Sequence, residues 1–332
     1  MPTLLVTKKM SPALAERVQA SVTGRLSTQR ARLAPRTRSL LRIGLFGVLL
    51  VLVAWLALSF RHFRHDTEAR RGALLARLAN DTSGVQGADL QIPKQISTWL
   101  VKASDAYAGD LISPGLRVPG AFDSVLSRPA VYVRGPIADF KSRATIADSA
   151  EGSFVDTLVL CLVSPPKERT QKALRAKART ALFSDSADMK RTRHVSRLFD
   201  MLAGAPFFEP AWADQVRSSR SREELVEWNQ HLNRAPMAAA RRAFKARLLL
   251  VAMDEPGDPA APAELDGERP HQVRVGVVDL ASNKELLRLR RKVDPSWLST
   301  STRAEFARGV DDCSLALDVR KAVEAEADGK AH

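Results

Sequence analysis

Residues 43–60 read IGLFGVLLVLVAWLALSF, an uncharged run of 18 residues between Arg42 and Arg61. As an α-helix rising ~1.5 Å per residue it extends about 27 Å, close to the hydrocarbon thickness of a bilayer. The run therefore predicts a membrane-spanning helix. A helix in a soluble core breaks its apolar stretch with polar positions on the solvent side, and this run has no such break. The principal rival is a cleaved secretory signal, because Ala57-Leu58-Ser59 is a small-x-small triplet. Against it stand the 42 residues before the run, its length, and the Phe60-Arg61 start that a cleaved product would carry.

Charge on the two flanks predicts the orientation. Before the run, Lys8, Lys9, Arg17, Arg25, Arg30, Arg32, Arg36, Arg38 and Arg42 face the single acid Glu16. After it come Arg61, Arg64, Arg70, Arg71 and Arg77, partly diluted by Asp66 and Glu68. Cationic flanks stay on the cytoplasmic side, so the amino end is expected inside and the bulk of the chain outside.

The same count explains the net charge of +14: residues 1–42 carry nine cations against one acid, and residues 61–332 carry 42 against 36. More than half the excess lies in the tail. That favours attraction to an anionic inner leaflet over nucleic-acid binding. Leu14, Val18, Val22 and Leu26 recur at every fourth position of the tail, compatible with a short amphipathic helix on the membrane surface; a solvated basic tail accounts for the same residues.

Beyond the anchor, residues 66–80 read as helix. Residues 81–128 are rich in Gly, Pro, Ser and Asp, with one apolar-periodic stretch at Ile92–Tyr107. Ala130–Gly135 (AVYVRG) reads as a strand between Pro129 and Pro136. Leu158–Val163 is a continuous apolar run stopped by Pro165-Pro166 and is expected as a central strand buried on both faces. A basic helix follows over Pro166–Leu182. Then His194–Ala203 reads as helix, and Phe207-Phe208 reads as the start of a short strand.

Ser221-Arg222-Glu223-Glu224 is a capping box opening a helix over 222–233, and Pro236 starts another through Lys245. Arg247–Met253 is a strand, and Asp254–Pro270, with four prolines and two glycines, is a loop. Gln272–Leu280 alternates Val273, Val275 and Val277 inward, and Glu285–Val293 returns as the second arm of a hairpin. A second capping box, Thr302-Arg303-Ala304-Glu305, begins a last helix to about Ala325, with Phe306, Val310, Cys313 and Leu317 on one face. This order argues for an α/β layer on a mixed sheet. The expected organisation is a basic cytoplasmic tail (1–42), a transmembrane helix (43–60), a neck and loop-rich lobe (61–150), an extracytoplasmic mixed-sheet α/β domain (151–325) and a flexible end (326–332).

The segment Ala238–Val293 resembles the α/β domain of bacterial envelope proteins of the TolB amino-terminal and CsgG type. There a helix leads into an apolar strand, and a V-x-V-x-V-V-D strand pairs with its return across a D-x-x-[ST]-x-[KE] turn. The matching residues are Arg247–Met253, Val273–Asp279 with Leu280–Glu285, and Leu286–Arg291; Asn283 stands where that turn usually has Gly. The resemblance implies a role in envelope assembly or binding and implies no active site.

Motifs for chemistry are sparse. His62, His65, His194, His231, His271 and His332 share no metal-ligand spacing, and no CxxC, HExxH, G-x-S-x-G, P-loop or G-x-G-x-x-G occurs, so no metal, cofactor or catalytic residue is expected. The paired acids Asp254-Glu255 and Asp311-Asp312 are adjacent in sequence, so the members of each pair diverge on a strand or helix. Cys161 and Cys313 both fall on the side assigned to an oxidising space and can form a disulfide, although each also suits a small apolar core position. Lys167, Arg169, Lys172, Arg175, Lys177 and Arg179 form a cationic stretch offset by Glu168 alone. It is a candidate surface for an anionic partner, without the interleaved aromatics that nucleic-acid platforms use. The expectation is a single-pass inner-membrane protein with a periplasmic domain that binds another envelope protein. An extracytoplasmic hydrolase with dispersed site residues is the alternative.

Overall fold

Every residue from Leu45 to His65 is exposed on helix α1 (Pro35–Asp81) in the computed structural model of the protein. The structure describes residues 35–182, 186–256 and 270–329, with the side chains of 35–44 and 301–308 excluded. The tail positions Leu14 to Leu26, most of the 254–270 loop, the Thr302–Glu305 capping box and Phe306 therefore lie outside the described residues or side chains. The chain divides into two units after Ala69. In the first, the apolar stretch of α1 is long enough to cross a membrane, and none of it is buried.

The second unit, from Arg70, is built on one six-stranded mixed sheet. In chain order its elements are α2 (Ile92–Ala103), β1 (Leu111–Ile112), α3 (Ala121–Leu126), β2 (Ala130–Pro136), α4 (Arg143–Gly152), α5 (Thr157–Val163), α6 (Gln171–Ala181) and α7 (Ala187–Lys190). There follow β3 (Val195–Arg197), α8 (Leu198–Phe208), α9 (Pro210–Ser218), α10 (Arg222–Arg234), α11 (Met237–Ala243), β4 (Leu248–Glu255), β5 (His271–Asp279), β6 (Lys284–Val293) and α12 (Thr300–Ala327).

The strand order is β1-β6-β5-β4-β2-β3, antiparallel from β1 to β4 and parallel from β4 through β2 to β3. Alternation along the strands splits the core. Leu248, Leu250, Ala252, Val273, Val275 and Val277 face α5, α6 and α12, whereas Leu249, Val251 and Met253 face α2, α4, α8 and α11. The result is a three-layer sandwich whose edge strands are only two and three residues long, which limits pairing with other chains.

The hairpin β5–β6 turns where the sequence places it. Asp279 Oδ1 accepts from the Ala281 and Ser282 N–H groups at 2.9 and 3.0 Å, and Asn283 takes a φ of 54°, a conformation that Asn tolerates better than most residues. Trp99 Nε1 and Gln95 Nε2 donate to its side-chain oxygen at 2.7 and 3.0 Å. The Ser221–Glu224 capping box is formed as read, with both reciprocal bonds present.

Three expectations are corrected. Leu158–Val163 is not a central strand but most of helix α5, in which Thr157 to Leu162 are all buried. Asp156 caps it, accepting from Val159 N at 3.3 Å, and a helix enclosed on all sides is as continuously apolar as a buried strand. Val195–Arg197 is a strand rather than the start of a helix, because it pairs in parallel with Ala130–Tyr132; the helix begins at Leu198. Phe207 and Phe208 end α8 instead of starting a strand, packing on Trp212 and Phe244 at ring distances of 5.1 and 4.6 Å. The sheet takes strands from both 61–150 and 151–325.

Candidate functional site

Arg134 sits on the same face of β2 as Ala130 and Tyr132, where an apolar side chain would be expected, and only 6 % of it is exposed. β2 and β4 run in parallel, so their carboxyl ends lie side by side, and Asp254 follows on the same face of β4. The guanidinium grips that carboxylate with two bonds: Nε donates to Oδ2 at 3.0 Å and Nη2 to Oδ1 at 2.8 Å. Nη1 donates to Asp312 Oδ1 from α12 and lies 3.9 Å from Asp156 Oδ2 at the start of α5.

Three further residues complete the cluster. Tyr132 O–H donates to Asp156 Oδ2 at 2.8 Å, and the Arg134 N–H donates to Ser153 Oγ at 2.9 Å. His271, the first residue of β5, brings Nε2 to 3.2 Å from Asp254 Oδ1. Asp254, Asp312 and His271 are 4, 3 and 5 % exposed, so the assembly is screened from bulk water except at Asp156, which is partly exposed.

Burial works to raise the Asp254 carboxyl, but the Arg134 charge and the bonds from His271 and Arg134 outweigh it and bring the group down to about 2. Burial likewise opposes the Arg134 charge, and Asp312 and Asp254 reverse this, holding the guanidinium well above its ordinary value. Tyr132 is pushed well above 10, first by burial and then by the Asp156 charge. These groups are fixed in one protonation state near neutrality. Their reach is structural: the cluster joins β2, β4, β5, α5 and α12 at one end of the sheet.

The opposite face carries a second cluster at the same end. Glu255 pairs with Arg274 and lies 2.5 Å from Arg290 Nη2, and the Tyr107 ring lies 5.4 and 5.7 Å from those two guanidinium carbons. Asp254 and Glu255 thus point to opposite faces, as their adjacency in the strand requires.

Cys161 and Cys313, the cysteine pair singled out in the sequence, are joined by a disulfide with Cα atoms 5.2 Å apart. The bridge links helix α5 to helix α12 rather than a strand to a helix. The cationic stretch is less uniform than its sequence. Arg169 forms a two-bond pair with Asp318 at 2.5 and 2.9 Å, and Lys177 binds Asp188 at 2.6 Å. Arg175 and Arg179 are also engaged, while Lys167 and Lys172 stand exposed. An open groove of about 240 Å³ lies between Arg70–Arg77 and Leu225–Asn229; there Arg77 is already bonded to Asn229 at 3.3 Å and to Asn233. Among the described residues no group of three or more His, Cys, Asp or Glu is arranged to hold a metal ion.

The Arg134 cluster has one signal in the sequence, a charged residue at the inward position of the apolar strand AVYVRG. Its carboxylate partners lie 22 to 178 residues away and come together only through the fold. No protein-family model, no curated protein and no solved structure matches this chain.

Proposed function

We propose that the chain is a single-pass membrane protein of a bacterial envelope, with its amino end in the cytoplasm and the unit from Arg70 in the periplasm, where it binds another envelope component. One observation carries the reading. Twelve large apolar residues between Leu45 and Phe60 are exposed, from Leu56 at 51 % to Leu45 and Val51 at 70 %. Withdrawing such side chains from water is worth roughly 1.5–3 kcal/mol each, which for the set is on the order of 20 kcal/mol. A bilayer supplies that environment, and the charge bias of the flanks supports the orientation.

The binding role draws on the resemblance of Ala238–Val293 to the envelope-protein domain. It also draws on the Arg134 cluster, whose burial suits holding elements in place better than meeting a substrate. The test is a pair of fusions. A reporter active only in the periplasm is expected to be active after His332 and inactive before Pro2, and the opposite pattern would overturn the orientation. Capture of the tagged full-length chain from detergent extract, with a specific envelope protein retained, tests the binding role; recovery of the chain alone counts against it.

A further inference from the structure

Two features assigned separate roles above meet at one place. Helix α5 begins at Asp156, whose carboxylate caps it and accepts from Tyr132 O–H, and the same helix carries Cys161. Helix α12 carries Asp312, which binds Arg134, and Cys313 directly after it. The two helices that bring these carboxylates to Arg134 are therefore the two that the disulfide staples. The staple lies one residue from Asp312, about 1.5 Å along the helix axis.

We propose that the Cys161–Cys313 bridge is a redox latch, which holds Asp312 on Arg134 when oxidised and releases it when reduced. The rest of α12 has its own attachments. Leu315, Ala316, Val319 and Val323 are buried, Arg320 Nη1 donates to Leu162 O at 2.6 Å, and Asp318 binds Arg169. Reduction thus loosens the α5–α12 contact at Asp312 without detaching the helix, whose flanking turns stay held by buried Val310 and by Arg169 Nη2 donating to Ser314 Oγ at 2.8 Å, and Arg134 loses one of its buried partners while Asp254 keeps its two bonds. Both sulfurs are buried, with Cys161 and Cys313 at 0 % exposure, so exchange proceeds through a local opening of this helix pair. The step is a two-electron exchange with a dithiol. The disulfide takes up two electrons and two protons to give two thiols, and the reagent closes to its own cyclic disulfide.

The oxidised state rests on the proposed placement of the domain in an oxidising space, whereas the coupling between bridge and cluster rests on geometry alone. The test uses the full-length chain in detergent. Phenylglyoxal modifies guanidinium groups at a rate that rises as they become more exposed, and peptide mass mapping follows Arg134, while thiol alkylation counts the cysteines. Arg134 is expected to resist modification with zero thiols. After dithiothreitol exposes two thiols it is expected to react at least about tenfold faster, the change of a local opening that shifts by a decade. With Trp55, Trp99 and Trp297 replaced by Phe, fluorescence from Trp212 and Trp228, on the other side of the sheet, is expected to stay unchanged.

Two titratable thiols with Arg134 still resistant would overturn the latch. So would a simultaneous change in the tryptophan signal, since the bridge would then be holding the entire domain. The variant C161A/C313A is expected to match the reduced protein, and behaviour like the oxidised protein counts against the proposal. Two free thiols in protein trapped directly from cells overturn the oxidising placement; resistance of Arg134 after reduction overturns the coupling.

Discussion

Replacing Arg134 with Met removes the cation from a site where Asp254 and Asp312 are 4 and 3 % exposed. Met keeps much of the aliphatic volume, so the loss is mainly electrostatic. Deleting one partner of a buried ion pair strands the other charge, at a cost of about 3–5 kcal/mol. For a unit of this size each kcal/mol lowers the melting temperature by about 2–4 °C, so the variant is expected to melt about 6–20 °C below the parent. The assay is thermal unfolding at pH 7 followed by tryptophan fluorescence in detergent. Arg134→Met combined with Asp254→Asn should recover part of the loss, because the amide carries no charge to strand. A single variant melting within about 2 °C of the parent would refute the reasoning, since the carboxylates would then have water or another cation to turn to.

Asp254 also sets a pH dependence. Its carboxyl titrates at about 2 in the fold against 3.8 ordinarily, so its contribution is fully present above about pH 4 and disappears as the pH falls from 4 towards 2. The size is on the order of 2–3 kcal/mol, and urea midpoints at pH 5 and pH 3 should differ more in the parent than in Asp254→Asn. Gly204→Ala is expected to destabilise by about 1–3 kcal/mol, because the new Cβ would stand 2.3 Å from Ala240 Cβ where α8 crosses α11. In an open helix the same change stabilises by up to about 1 kcal/mol, so a raised urea midpoint would show that the crossing can relax.

The capping box at Ser221, the hairpin at Asp279–Lys284 and the alternation of Val273, Val275 and Val277 each depend on residues within a few positions of one another, and each is present in the structure. Leu158–Val163 failed for a physical reason. An apolar run of six fits a strand buried on two faces or a short helix buried all round, and the deciding signal was the single capping residue Asp156. Val195–Arg197 failed because pairing with β2, 65 residues earlier, overrode a helical pattern three residues long.

The Arg134 cluster was illegible for a different reason, and that reason bears on what it does. Adjacent acids diverge along a strand, and Asp254 and Glu255 do so: one faces Arg134 and the other Arg274. Convergence came instead between acids of different elements, Asp156, Asp254 and Asp312, around one cation. Apolar side chains of equal volume would hold the same layers together at least as strongly, since buried ions must first be stripped of water. They would not require that the end of β4, the cap of α5 and one turn of α12 meet at a single point. A guanidinium with fixed donor directions does require it. The cluster is therefore best understood as a device for specifying arrangement at the carboxyl end of β2 and β4, and the disulfide one residue beyond Asp312 makes that arrangement answerable to the redox state of its surroundings.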